Sequence, residues 1–175
     1  MRIFTAIPLP DEIKEKFGQI ARGKLPIPYV NTDLLHITLH FLGDLDTDRE
    51  KLAKKLWFEL PTFKKVDIEF DKLIKFQHQI HMTLVDNPVL VKLQGDMRRE
   101  FEKLGFTFTF PKYYPHVTIG SLHMDRVMHR ERRIEDFPNQ ELKQLSFTAD
   151  KIVMFESKQL LHHTHHFPIS ERALE

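Results

Sequence analysis

Apolar and polar positions alternate from Arg2 to Leu9, with enough β-branched and aromatic side chains to predict a first strand. The period then changes. Asp11 to Arg22 spaces Ile13, Phe17 and Ile20 along one helical face, and Gly23 supplies a stop. Alternation returns from His36 in HITLHFLGDL, predicting a strand that ends in Gly43 and an acidic turn. In that strand His36, Thr38 and His40 share one side, while Ile37, Leu39 and Phe41 line the other. Thr47 and Glu50 have capping-box spacing and open a helix carrying Leu52, Leu56 and Phe58 up to Pro61. Strand patterning follows over Val66 to Phe70, Leu73 to Phe76 and Ile80 to Val85. Pro88 then starts the clearest helix, through Leu90, Leu93, Met97, Phe101 and Leu104 to Gly105. Phe106, Phe108 and Phe110 alternate strictly and read as a core strand. A strand from His116 comes next, and Phe147 to Phe155 and Leu160 to Ile169 read as closing strands.

This order of elements suggests an α+β class with antiparallel sheets, not a doubly wound parallel fold. There is neither a glycine-rich phosphate loop nor a dinucleotide fingerprint, and no low-complexity linker divides the chain. Residues 1–175 therefore read as a single domain of two intimately packed lobes. With 41% hydrophobic and 29% charged residues, the composition fits a globular chain with a substantial core. No apolar run reaches the length of a membrane span, and Pro8 and Pro10 break MRIFTAIPLP, so it reads as a strand instead of a signal. The absence of cysteine excludes disulfides, a thiolate nucleophile and cysteine-type zinc fingers, and a cytoplasmic location is the expectation. A net charge of +1 argues against a broad DNA-binding surface, so any nucleic-acid contact must be local.

The candidate chemistry lies in a repeated phrase, His-x-Thr. Chance alone gives about 0.7 such triplets for a chain with this many histidines and threonines. Four occur, beginning at His36, His81, His116 and His162, so the flanks must decide between them. HITLHFLG and PHVTIG each end near a glycine; QIHMTLV runs into the Asp86-Asn87-Pro88 turn, and His162 belongs to a histidine-rich tract. The last two read as sheet surface. Two imidazoles facing each other can take up one proton and deliver another near pH 7. The hydroxyls of Thr38 and Thr118 can hold a phosphate between them. A phosphodiester is the natural substrate, with a base beside the attacking water and an acid beside the leaving oxygen.

At these residues the chain resembles the two-histidine phosphoesterase superfamily, in its RNA 2′,3′-cyclic phosphodiesterase branch, also called 2′-5′ RNA ligase. The likeness extends to MRIFTAIPLPDEIKEKF, to Leu90 through Gly105 and to IVMFESK. The resemblance implies a bilobal fold of two antiparallel sheets with flanking helices, related by a pseudo-twofold, with the active cleft between the lobes. It implies metal-independent hydrolysis of a 2′,3′-cyclic phosphate on RNA or a small nucleotide to a 2′-phosphate, and it allows ATP-independent 2′-5′ joining. No cofactor is expected. By position, His36 would be proton donor and His116 proton acceptor, with Thr38 and Thr118 binding phosphate. Relatives commonly carry an arginine five residues after the second histidine, where this chain has Ser121. A non-catalytic RNA-end-binding protein with a degenerate second motif is therefore the alternative. A monomer is expected.

Three further residues are candidate substrate contacts. His40 shares the His36 side of an ideal strand, with a half-exposed surface histidine as the other reading. Tyr114 could stack on a base, or pack between lobes together with Tyr113. Arg126, with Arg130, Arg132 and Arg133, could grip backbone phosphates or belong to a solvated helical face diluted by Glu131, Glu135 and Asp136. The tract from His162 to His166 invites a metal reading. Only His163 and His165 share a side there and no carboxylate is near, so no metal site is expected.

Overall fold

The computed structural model describes residues 1–27, 30–122 and 132–175. The chain runs β1 (Arg2–Pro8), α1 (Asp11–Ala21), β2 (His36–Asp44), α2 (Thr47–Glu59), β3 (Val66–Phe76), β4 (Gln79–Leu84), α3 (Pro88–Lys103) and β5 (His116–Ser121). It continues through α4 (Asn139–Leu142), β6 (Ser146–Ala149), β7 (Lys151–Leu160) and β8 (His163–Ala173). The α+β class is as expected and every pairing is antiparallel. The two expected sheets, however, are one, in the order β6-β3-β4-β5-β2-β1-β7-β8. Joining them leaves neither inner edge unpaired. The join is narrow: Ile37 of β2 opposite Val117 of β5 is the one registered pair, and these are the middle residues of the two His-x-Thr triplets.

The stretch expected as a strand over Phe147 to Phe155 is divided at Asp150. Its first part, β6, pairs with β3, while its second, β7, pairs with β1. A strand at one end of the order and the strand next to the other end are thus one residue apart in the chain, which requires the sheet to curl. Similarly, β3 is continuous where two strands were expected, with an irregularity between Phe70 and Leu73 taking the place of a turn.

Ideal alternation fails in the same place in both motif strands. In β2 the register passes from Ala6↔Thr38 to Thr5↔His40, leaving Leu39 without a partner. In β5 it passes from His81↔Thr118 to Ile80↔Gly120, leaving Ile119 without one. Each bulge follows its threonine directly and inverts the faces beyond it. His40 consequently turns to the helix-covered side, and Phe41 to the side of His36. Gly120 and Ser121 are exchanged in the same way.

Helices α2 and α3 cover one face of the sheet. Trp57 of α2 is fully buried and donates from Nε1 to the Ser170 hydroxyl of β8 at 3.1 Å. Gln94 of α3 donates to the Leu39 carbonyl at 3.3 Å. Two details of α2 depart from expectation. Asp46, not Thr47, caps it by accepting from the Arg49 amide at 2.8 Å, while Glu50 pairs with Lys54. Trp57 takes the inward position instead of Phe58, which is 71% exposed. At α3 the Asn87 side chain accepts from the Leu90 amide, Pro88 follows as the first helical residue, and Gly105 ends the turn with φ +79°. Phe106 to Phe110 forms no strand: Phe106 is buried, Phe108 half-buried, and Phe110 exposed. Three apolar residues were asked to share one face, but without a paired strand only the nearest to α3 stays covered.

Candidate active site

The other face of the sheet is open, and both motifs lie on it at the junction of the halves. His36 and His116 are half-buried, Thr38 is half-buried and Thr118 exposed. Each imidazole is fixed by the carbonyl two residues before it. His36 donates from Nδ1 to Leu34 at 2.6 Å, and His116 from Nδ1 to Tyr114 at 2.8 Å. A carbonyl can only accept, so both rings carry the proton on Nδ1 when neutral, leaving Nε2 bare for proton transfer. On His36 that nitrogen accepts from the Thr38 hydroxyl at 3.0 Å. Tyr113, just before the second motif, donates from its phenol to the Thr38 carbonyl at 2.8 Å and so ties the two motif strands together. Its burial pushes the phenol pKa up.

Two further histidines flank this pair. His81 of β4 stacks on His116 with ring centroids 3.9 Å apart and planes 12° from parallel. It was expected on the sheet surface but is 3% exposed. Pairing sets His81 opposite Thr118 and Thr83 opposite His116, so a third His-x-Thr triplet lines up beside the second. His166 of β8 meets His36 edge-on at 5.2 Å, and both rings rest on Phe4, which is 1% exposed. Neither companion was visible in the sequence, because cross-strand register decides which residues become neighbours.

His40, expected as a candidate substrate contact, does not reach the open face. It is 2% exposed, accepts from the Thr5 hydroxyl on Nδ1 at 3.2 Å and donates from Nε2 to the Gln94 carbonyl at 3.1 Å. The Leu39 bulge carries it beneath α3, against Phe101 and Phe108. Phe41 replaces it on the open face, 49% exposed and stacked on Phe4. Tyr114 is 56% exposed with its ring 6.3 Å from His116, a position open to a ligand. Arg126 and Arg130 lie outside the described residues, and Arg133 is paired with Glu135 at 3.6 Å.

Against known proteins, the family model described as the 2′-5′ RNA ligase superfamily matches residues 9–159. The chain belongs to that superfamily. A protein of Methanocaldococcus jannaschii named RNA 2′,3′-cyclic phosphodiesterase is 30% identical over 165 residues, covering 90% of this chain and 91% of that one. A protein of Thermotoga maritima with the same name is 26% identical over 130 residues, 69% of each chain. Among solved structures, E. coli LigT in its apo form has the same fold, with TM-score 0.79 at 22% identity, covering 99% of this chain and 96% of that one.

In this member of the 2′-5′ RNA ligase superfamily, burial governs the charge on the site histidines. Burial lowers the His36 pKa to about 4, opposed by its bond to Leu34 and deepened by His166, His116 and Lys14. Lys14 of α1 donates to the Asp33 carbonyl at 3.2 Å and lines the same cavity as His36. Burial and the His116 charge also bring His81 to about 4. Beyond the β5 bulge, Ser121 lies exposed on the open face, where a serine brings no charge. Among the described residues, no three or more His, Asp, Glu or Cys side chains converge to hold a metal ion. Nor is any described helix long and apolar enough to cross a membrane.

Proposed function

We propose that this chain hydrolyses the 2′,3′-cyclic phosphate of an RNA end or small nucleotide to a 2′-phosphomonoester, using His36 and His116 as its acid-base pair. The carrying observation is the matched anchoring of the two imidazoles, Nδ1 to a carbonyl in each, at the junction of the two halves. The names of the M. jannaschii and T. maritima relatives support the substrate class. In this reaction a water oxygen bonds to phosphorus as the P–O3′ bond breaks. One histidine accepts the water proton and the other protonates O3′, while the Thr38 and Thr118 hydroxyls donate to the phosphate. If a 5′-hydroxyl takes the place of water, the same displacement yields a 2′,5′ linkage without ATP.

The roles implied by family position, His36 as donor and His116 as acceptor, require His36 to be protonated in the substrate complex. Its pKa of about 4 leaves it neutral in the empty site at pH 7, so the anionic phosphate must draw the proton in. That depressed value favours a second reading, with His36 as acceptor and His116 as donor. A substrate with sulfur in place of O3′ separates the two, because a thiolate leaves without protonation. It rescues whichever variant has lost the acid, His36→Ala under the first assignment and His116→Ala under the second.

The function itself is tested by incubating the protein in EDTA with RNA ending in 2′,3′-cyclic phosphate. Wild type is expected to open the cycle, and each alanine variant to be slower by about 10² to 10⁴ fold. Full activity in both variants would remove the pair from the mechanism. Binding of 2′-phosphate ends without turnover in wild type would favour the non-catalytic alternative.

A further inference from the structure

His166 comes from a histidine tract that the acid-base scheme does not use. It reaches the site through the β7–β8 hairpin, in which Phe155 pairs with Pro168 and Ser157 with His166. Phe155 is the cross-strand partner of Phe4, so alternation sets Ser157 and His166 on the same open face. The ring lies 4.8 Å from Phe4 and 5.2 Å from His36, at 69° and 74° to them. Together with His36 it lines a cavity of about 480 Å³ whose floor includes Pro8, Val153, Phe155 and Pro168.

Outside the acid-base pair, the nitrogens of His40 and His81 are engaged or sealed. His40 uses both of its own, and His81 donates from Nε2 to Gln79 while its Nδ1 is buried without a partner. His166 makes no hydrogen bond among the described residues, and neither of its nitrogens is sealed from solvent. Cations stand at the margins of this face, Lys14 on the cavity wall and Arg2 over the Phe41 ring at 5.2 Å, while Thr38, Thr118 and Ser121 contribute only hydroxyls. The cavity wall also carries Asp11, Asp33, Asp150 and Glu171, the last paired with Lys151 at 3.1 Å.

We infer that His166 is a phosphate-binding residue of this site, donating an imidazole N–H to a non-bridging oxygen of the substrate phosphate on the His36 side. The inference rests on the cyclic phosphodiesterase reading for its substrate but not for its measurement, because inorganic phosphate is a sufficient probe. His166→Phe keeps a ring against Phe4 and His36 and removes the donor; His166→Gln keeps a donor. Relative to wild type, H166F is expected to raise KM for a cyclic nucleotide about tenfold or more, as loss of a bond to a charged group does, with kcat within about twofold. Inhibition by inorganic phosphate should weaken by the same factor, and H166Q should fall between the two.

A KM and a phosphate inhibition in H166F equal to those of wild type would reduce His166 to a packing role and overturn the inference. Should H166F fail to fold in a thermal melt, H166Q and His166→Asn carry the same comparison. If wild type opens no cyclic phosphate, the functional reading fails on its own, and phosphate titration of wild type against H166F still decides the role of His166.

Discussion

Thr5 and His40 are polar residues placed where the sheet is otherwise packed with Ile3, Ile7 and Ile37. Their mutual bond and the Gln94 carbonyl satisfy both imidazole nitrogens, which is what permits a histidine to be buried there. His40→Ala should therefore cost stability, about 2 to 4 kcal/mol in urea unfolding, and leave KM unchanged. A raised KM at unchanged stability would return His40 to the cleft. The contrast with His36 marks how far the sequence could be read at this scale. Alternation correctly joined His36 with Thr38 and His116 with Thr118, because no irregularity lies within either triplet. It failed one residue later, since nothing in HITLHFLG distinguishes a bulged leucine from a paired one. His81 and His166 were illegible for another reason: their importance comes from strand register between distant segments, which a single chain's pattern does not contain.

The elements themselves were largely legible where periodicity was long. Helix α3 ran as its apolar spacing and Pro88 indicated, and β1 and β2 lay where alternation placed them. Short apolar runs misled, as Phe106 to Phe110 did, because alternation without a pairing partner does not make a strand. The glycines that ended both motif strands turn out to be needed for different reasons. Gly43 adopts φ +87°, a conformation that strains any side chain, whereas at Gly120 an added Cβ would meet the Ile27 Cδ1 atom at 2.8 Å. Gly43→Ala is expected to destabilise by about 1 to 2 kcal/mol. Gly120→Ala should cost less, because the far end of one isoleucine can yield. Denaturant midpoints of the two variants check the order, and a larger loss at Gly120 would contradict it.

Among the described residues, burial brings the pKa of His36, His40 and His81 to about 4 and lowers that of His166 as well. In the unfolded chain they titrate near the ordinary value of about 6.5. As pH falls from about 6.5 toward about 4, the unfolded state takes up protons that the native state refuses, so stability declines through that window and is complete above it. Unfolding free energy measured against pH should have a slope corresponding to uptake of about three protons from His36, His40 and His81, with His166 adding to it, and His40→Gln should lower that number by one. A stability flat between pH 6.5 and 4.5 would count against all three burials. The curl of the sheet and its narrow β2–β5 join were not foreseen, since they depend on how two halves with matching inner edges share them. The paired bulges give that join its meaning. Like a shift of reading frame, the extra residue at Leu39 and again at Ile119 lets one strand spell two messages, the open face in its first three letters and packing in the next. Deleting Leu39 would therefore not shorten β2 so much as mistranslate it, delivering His40 to the open face and Phe41 to the core.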